Sequence, residues 1–195
     1  MDLEKTLIGS DHSAQYGWRH VKRPGLDQLL ERLSSYYEIV IFSENEVEVV
    51  QDLLMNIDPQ SKTHKLGASA AESRDGVMLK RLDLMNRDQS RIILIDDSEK
   101  ASSLFPRNTL LVKPYVDTTD QSDTALLDLI PLLQAFIHDQ STDFRDTIDD
   151  LGTYCMYIDT DINIYHPYQI MDNTVIIFYS TLPIISLPFA LLYLI

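Results

Sequence analysis

The chain opens Met1-Asp2-Leu3-Glu4-Lys5-Thr6-Leu7, two carboxylates spaced i and i+2 with a hydroxyl two residues further on. At a strand end, such a pair can divide the work of nucleophile and general acid/base. Its oxygens, joined by Asp96 and Asp97, are the hard ligands that Mg²⁺ prefers. Ser43 and Lys80 supply a hydroxyl and an ammonium that can grip a phosphoryl group. Asp2, Glu4, Thr6, Ser43, Lys80, Asp96 and Asp97 together are therefore equipped for metal-assisted phosphoryl transfer. Each has a plainer explanation taken singly. Acid pairs in loops are most often solvated turns, and a lone lysine ordinarily sits on the surface. Their position relative to the structural elements weighs against that.

Leu26, Leu29, Leu30 and Leu33 recur at i, i+3, i+4 and i+7, the stripe of an amphipathic helix, with Pro24 near its first turn. Tyr37-Glu38-Ile39-Val40-Ile41-Phe42 follows as a buried strand. Val50, Leu53, Leu54 and Ile57 predict a second helix, closed by Asp58-Pro59. Ile92–Ile95 and Leu110–Val112 are further strands, and Leu126, Leu129, Ile130, Leu133 and Ile137 make a last helix, kinked at Pro131. Strands alternating with helices predict an α/β fold with a central, mostly parallel sheet flanked by helices. Ligands collect at the carboxyl ends of such strands. Ser43 and Asp96-Asp97 occupy those ends. Asp2 needs a strand before it that the chain does not carry, so the first strand is expected to be truncated.

The 195 residues hold 30 acids against 16 bases, for a formal net charge of -14 and a pI near 4.5. That balance excludes the basic footprint of a nucleic-acid binder. The single cysteine, Cys155, excludes an internal disulfide framework and a Cys-rich zinc site, and the five histidines show no ligand spacing. Every base lies at or before Arg145, whereas residues 146–195 carry six Asp, no base and six of the ten tyrosines. This shift predicts a domain over 1–152 and a hydrophobic, Tyr-rich tail over 153–195. The tail is expected to be an artefact of the reading frame, with a membrane-associated segment as the alternative. The acidic run Glu44, Glu46, Glu48 with Asp52 reads as a solvated helix face.

Asp-x-(acid)-x-Thr, a Ser after a second strand, a Lys and a late Asp-Asp resemble the signature of the haloacid dehalogenase superfamily. The flanking segments resemble its branch of small C-terminal-domain phosphatases, and within it the presequence-receptor subunits of the mitochondrial inner-membrane translocase. These segments are Gly17-Trp18-Arg19-His20-Val21-Lys22-Arg23-Pro24-Gly25, Tyr36 to Ser43, Asp75-Gly76, Leu84-Met85-Asn86-Arg87-Asp88 and Leu127-Asp128-Leu129-Ile130-Pro131. Phe144-Arg145-Asp146 is the last, and the resemblance covers roughly residues 1–152.

The resemblance implies a haloacid-dehalogenase-like fold with Asp2 as nucleophile and Thr6, Ser43 and Lys80 as phosphate-binding groups. Asp2, Asp96 and Asp97 would be ligands to Mg²⁺. Glu4 departs from the pattern, since active members carry Asp there, and misplacing a general acid by about a bond length can cost on the order of 10²-fold. The segment before Asp75 also lacks the basic residue of phosphatase relatives. The resemblance therefore implies a receptor for basic amphipathic presequences, working with other translocase subunits at the inner membrane and facing the intermembrane space. In that setting Glu44, Glu46, Glu48 and Asp52 are equally readable as an attractor for the presequence. The alternative is a Mg²⁺-dependent protein Ser/Thr phosphatase with an aspartyl nucleophile.

Overall fold

The computed structural model describes residues 1–138, 143–152, 168–171 and 174–177, in two units, Met1–Thr160 and Asp161–Ile195. In the first unit the leucine stripe forms α1 (Leu26–Leu33) and buries Leu26, Leu29, Leu30 and Leu33. They join a core shared with Leu126, Leu129, Ile130 and Leu133 of α3 (Ala125–His138), which runs through Pro131. Each such leucine contributes roughly 1.5–3 kcal/mol by leaving water. Pro24 lies two residues before α1 rather than in its first turn. Phe144, Ile148 and Leu151 set the inner face of α4 (Phe144–Gly152) against the same core.

Two of the expected strands are shorter than the apolar runs that announce them. β3 (Val40–Phe42) pairs in parallel with β4 (His64–Leu66), and β7 (Leu94–Asp96) in parallel with β8 (Thr109–Leu111). Met1–Leu3 bridges the two pairs. Asp2 N donates to Ile95 O (2.8 Å), Leu3 N to Phe42 O (2.8 Å), and Phe42 N to Met1 O (2.9 Å). The expected first strand is thus present only as this short central bridge, and its backbone groups are satisfied on both sides.

Two antiparallel hairpins stand on this layer. β1 (Ile8–Ser13) pairs with β2 (Gly17–Lys22), and β5 (Ala71–Arg74) with β6 (Val77–Lys80). Asp75 and Gly76 turn the second hairpin with φ of 51° and 77°, the left-handed pair that an Asp-Gly turn supplies. Its outgoing strand carries Lys80 back toward the sheet. α2 (Gln51–Ile57) starts later than expected, so Glu44, Glu46 and Glu48 lie on the loop after β3 and only Asp52 is helical. The helix-face reading of that run is corrected: Glu44, Glu46 and Glu48 precede the helix, and the backbone of residues 45–47 packs against Gly67.

Among the described residues no helix is long and apolar enough to cross a membrane. In the second unit, Tyr168–Met171 (β9) pairs antiparallel with Thr174–Ile177 (β10). The rest of the tail over 153–195 lies outside the described residues.

Candidate functional site

Asp2, Lys80 and the adjacent pair Asp96-Asp97 come from three separate stretches of chain and converge at the carboxyl edge of the sheet. Asp2 arrives on the central bridge, Asp96 at the end of β7, and Lys80 at the end of β6, where Lys80 N donates to Ala101 O (3.2 Å). Lys80, 4% exposed, has its ammonium 2.7 Å from Asp2 Oδ1 and donates to Asp96 Oδ2 at 2.5 Å. Lys80 is therefore no surface lysine. Asp2 Oδ1 is thus held by the Lys80 ammonium in a buried ion pair. The other Asp96 oxygen accepts from Ser98 N (2.8 Å), which fixes the turn beyond β7. Thr6, fully buried, donates through Oγ1 to Asp97 Oδ1 (3.1 Å).

Burial pushes the Asp2 carboxyl up to about 7, with Lys80 opposing and Asp96 and Glu4 adding to the rise. Burial alone would lower the Lys80 ammonium, but the facing Asp2 and Asp96 carboxylates outweigh it and hold it above its ordinary range. Asp97 is raised by burial, and Asp96 beside it works in the same direction.

Asp2, Asp96 and Asp97 each offer an oxygen within 4.8 Å of the others. Three clustered carboxylates, Asp2 and Asp96 of them buried, are the hard-oxygen donor set that fits a divalent cation. They are the residues that would hold Mg²⁺, which when bound neutralises charge on a phosphoryl group. A pocket of about 200 Å³ opens beside them, lined also by Glu4, Lys5 and Glu44.

Glu4 is engaged by the loop after β3. Ser43 Oγ donates to Glu4 Oε1 (2.7 Å), Asn45 Nδ2 to the same oxygen (3.2 Å), and Glu44 N to Oε2 (3.0 Å). Asn45 was not among the candidates from sequence. Its position two residues after Ser43 was the available signal. Glu46, Glu48 and Asp52 are exposed and do not line the pocket, whereas Glu44 does.

Gly67 holds this loop close. A Cβ there would meet Asn45 O and Val47 N at 2.8 Å, both backbone atoms. Gly67→Ala is thus expected to push residues 45–47 outward and to cost roughly 1–3 kcal/mol. A urea midpoint unchanged in the variant would show that the loop yields freely.

A parallel-strand sheet with acidic and hydroxyl groups at its carboxyl edge, and a lysine delivered from a hairpin, defines a haloacid-dehalogenase-type phosphatase domain. The chain belongs to the NLI interacting factor-like phosphatase family, which it matches over residues 1–145. It is 40% identical over 151 residues to the mitochondrial import inner membrane translocase subunit TIM50 of Phytophthora infestans, covering 77% of this chain and 36% of that protein. The TIM50 of Arabidopsis thaliana is 35% identical over 149 residues, covering 76% of this chain and 39% of that protein. The chain thus spans less than two-fifths of the length of these relatives. The structure of Fcp1, an RNA polymerase II CTD phosphatase, superposes with a TM-score of 0.50 at 16% identity. That alignment covers 78% of this chain and 61% of that one, and it supports the fold alone.

Proposed function

We propose that the chain acts as the receptor domain of a mitochondrial inner-membrane protein translocase, on the intermembrane-space side. There it would bind basic amphipathic presequences and hand precursors to other translocase subunits. The observation that carries this reading is the 40% identity over 151 residues to a TIM50 subunit, which extends across the whole body of the domain. The surface supports it. Exposed Glu44, Glu46, Glu48 and Asp52 stand beside Val49 and Met55, whose side chains are 75% and 58% exposed as residues. Acid beside apolar surface is complementary to a helix that is basic on one face and apolar on the other.

The test titrates a labelled presequence peptide against the protein at low and high salt. Exposed charges are screened over about 10 Å at 0.1 M salt, so binding weakens at high salt while its apolar part persists. Replacing Glu44, Glu46 and Glu48 together by Gln is expected to lower affinity at low salt and to flatten the salt dependence. Unchanged affinity in that variant removes this patch from the site. No saturable binding by the folded wild-type protein overturns the receptor reading. The second reading, a Mg²⁺-dependent phosphatase, draws on the convergence of Asp2, Lys80, Asp96 and Asp97. The engagement of Ser43 by Glu4 opposes it.

A further inference from the structure

The segment 47–57 divides its apolar side chains between two directions. Leu54 and Ile57 are buried in the core, and Val47, Val50 and Leu53 pack half-buried against it. Val49 and Met55 take no part in that packing and stand 75% and 58% exposed. Met55 lies three residues, about one turn, beyond the exposed Asp52 of α2. The outward face of the segment is therefore acidic and apolar together. Apolar area displayed beside charge in this way is free for a partner to cover.

The two exposed apolar residues differ in kind. Val49 is β-branched and stiff. Met55 is unbranched, with three rotatable bonds and a polarizable sulfur, and it moulds itself to unlike apolar partners. A surface that accepts different helices, each offering its own apolar face, gains from such a side chain.

The thioether is also open to oxidation. Within residues 1–152 the methionines are Met1, Met55, Met78 and Met85. Met55 is exposed and the other three are half-buried. With hydrogen peroxide as oxidant, a sulfur lone pair attacks one peroxide oxygen, and the S–O bond forms as the O–O bond breaks. The departing hydroxide takes the proton left on the transferred oxygen and becomes water. Sulfur loses two electrons and the peroxide gains them. The product is a polar, chiral sulfoxide. Laying that group against an apolar helix face costs free energy unless it is hydrogen-bonded.

We propose that Met55 is the apolar anchor of the acidic patch and its oxidation switch. The thioether seats the apolar face of a basic amphipathic helix, and conversion to the sulfoxide by peroxide releases that helix. The proposal rests on the receptor reading and adds to it an anchoring residue and a means of regulation.

The experiment uses the full chain, a labelled presequence peptide and hydrogen peroxide, with mass mapping of the oxidised methionines. Met55 is expected to oxidise ahead of Met78 and Met85, and saturating peptide should slow its oxidation. Oxidised wild type should bind the peptide at least about threefold more weakly. Methionine sulfoxide reductase should restore the affinity. Met55→Leu keeps the apolar volume outside the core, so it should fold and bind as wild type does. Its affinity should survive peroxide treatment, although the remaining methionines are still present. Oxidation at Met55 with affinity unchanged overturns the proposal alone. So does an equal loss of affinity in peroxide-treated Met55→Leu, or oxidation of Met55 that bound peptide does not slow. No saturable binding by untreated, folded wild type overturns the receptor reading and this proposal with it, so the two failures are told apart.

Discussion

Arg23→Met is expected to cost about 3–5 kcal/mol, the largest loss of any single substitution in the domain away from the acidic pocket. Arg23 is 1% exposed, yet its side chain is fully charged. Its Nε and one terminal nitrogen donate to the two oxygens of Asp123, both at 2.8 Å, and the other terminal nitrogen reaches Thr6 O at 3.2 Å. The guanidinium also lies 5.5 Å from the Tyr115 ring. One residue thus locks three parts of the chain: the approach to α1, the start of α3 and the turn that aims Thr6 at Asp97. Methionine fills the space but leaves the Asp123 carboxylate, 10% exposed, with Ala125 N at 3.2 Å as its one remaining donor among the described residues. The Thr6 carbonyl loses a partner too. For a domain of this size the loss lowers the melting temperature by roughly 10 °C. The double variant Arg23→Met/Asp123→Leu should recover much of the loss, because it removes the stranded charge along with its partner. A single-variant loss below about 1 kcal/mol would mean the pair is solvated and not buried.

Legibility in the sequence followed the physics of each element. The α1 and α3 stripes could be read because burial imposes a 3.6-residue period on leucines. β3, β7 and β8 could be read because strands buried on both faces become apolar runs. β1 and β2 left no such trace. Ser10, Asp11, Arg19 and His20 are exposed, so no alternation marks the pairing, and only Gly17 hints at the turn. β5–β6 leaves its mark in Asp75-Gly76, a dipeptide suited to a two-residue hairpin turn. α4 lies beyond the helix expected to be the last, although Phe144, Ile148 and Leu151 fall at i, i+4 and i+7.

The site divides in the same way. Asp2, Ser43, Asp96 and Asp97 were recoverable as residue types at strand ends, and the resemblance supplied Lys80 and the grouping. Two facts could not be read from any spacing. One is that Lys80 is buried between Asp2 and Asp96, since they lie 78 and 16 residues away along the chain and meet only through the hairpin. The other is the rotamer of Glu4. A single torsion decides whether that carboxylate faces Asp2 as an acid/base group or Ser43 as a ligand, and neighbours in space, not in sequence, set it.

The Asp2→Asn variant should become progressively more stable than wild type as the pH rises from about 4 to about 7. Burial is the main reason that the Asp2 carboxyl titrates at about 7 in the folded protein, against an ordinary 3.8. A folded-state value above the unfolded one means the contribution is whole below about pH 4 and is lost as the pH passes through about 7. The difference corresponds to roughly 4 kcal/mol at most. Lys80 is also raised, but its contribution is constant until well above neutral pH. Comparing the two proteins at each pH isolates the contribution of this carboxyl, and the asparagine keeps the shape of the site.

Mg²⁺ supplies the second half of the experiment. A cation held by Asp2, Asp96 and Asp97 favours the ionised form of Asp2, so the stabilisation it gives should grow as the pH rises. Urea unfolding with and without Mg²⁺, from about pH 4 to about pH 8, reads both effects. Parallel wild-type and Asp2→Asn profiles would remove the strain assigned to the buried carboxylate. Equal stabilisation of both proteins by Mg²⁺ would remove Asp2 from the cation site. If both effects appear together, Asp2 is a carboxylate that the fold buries at a cost to its own stability, and a divalent cation relieves it.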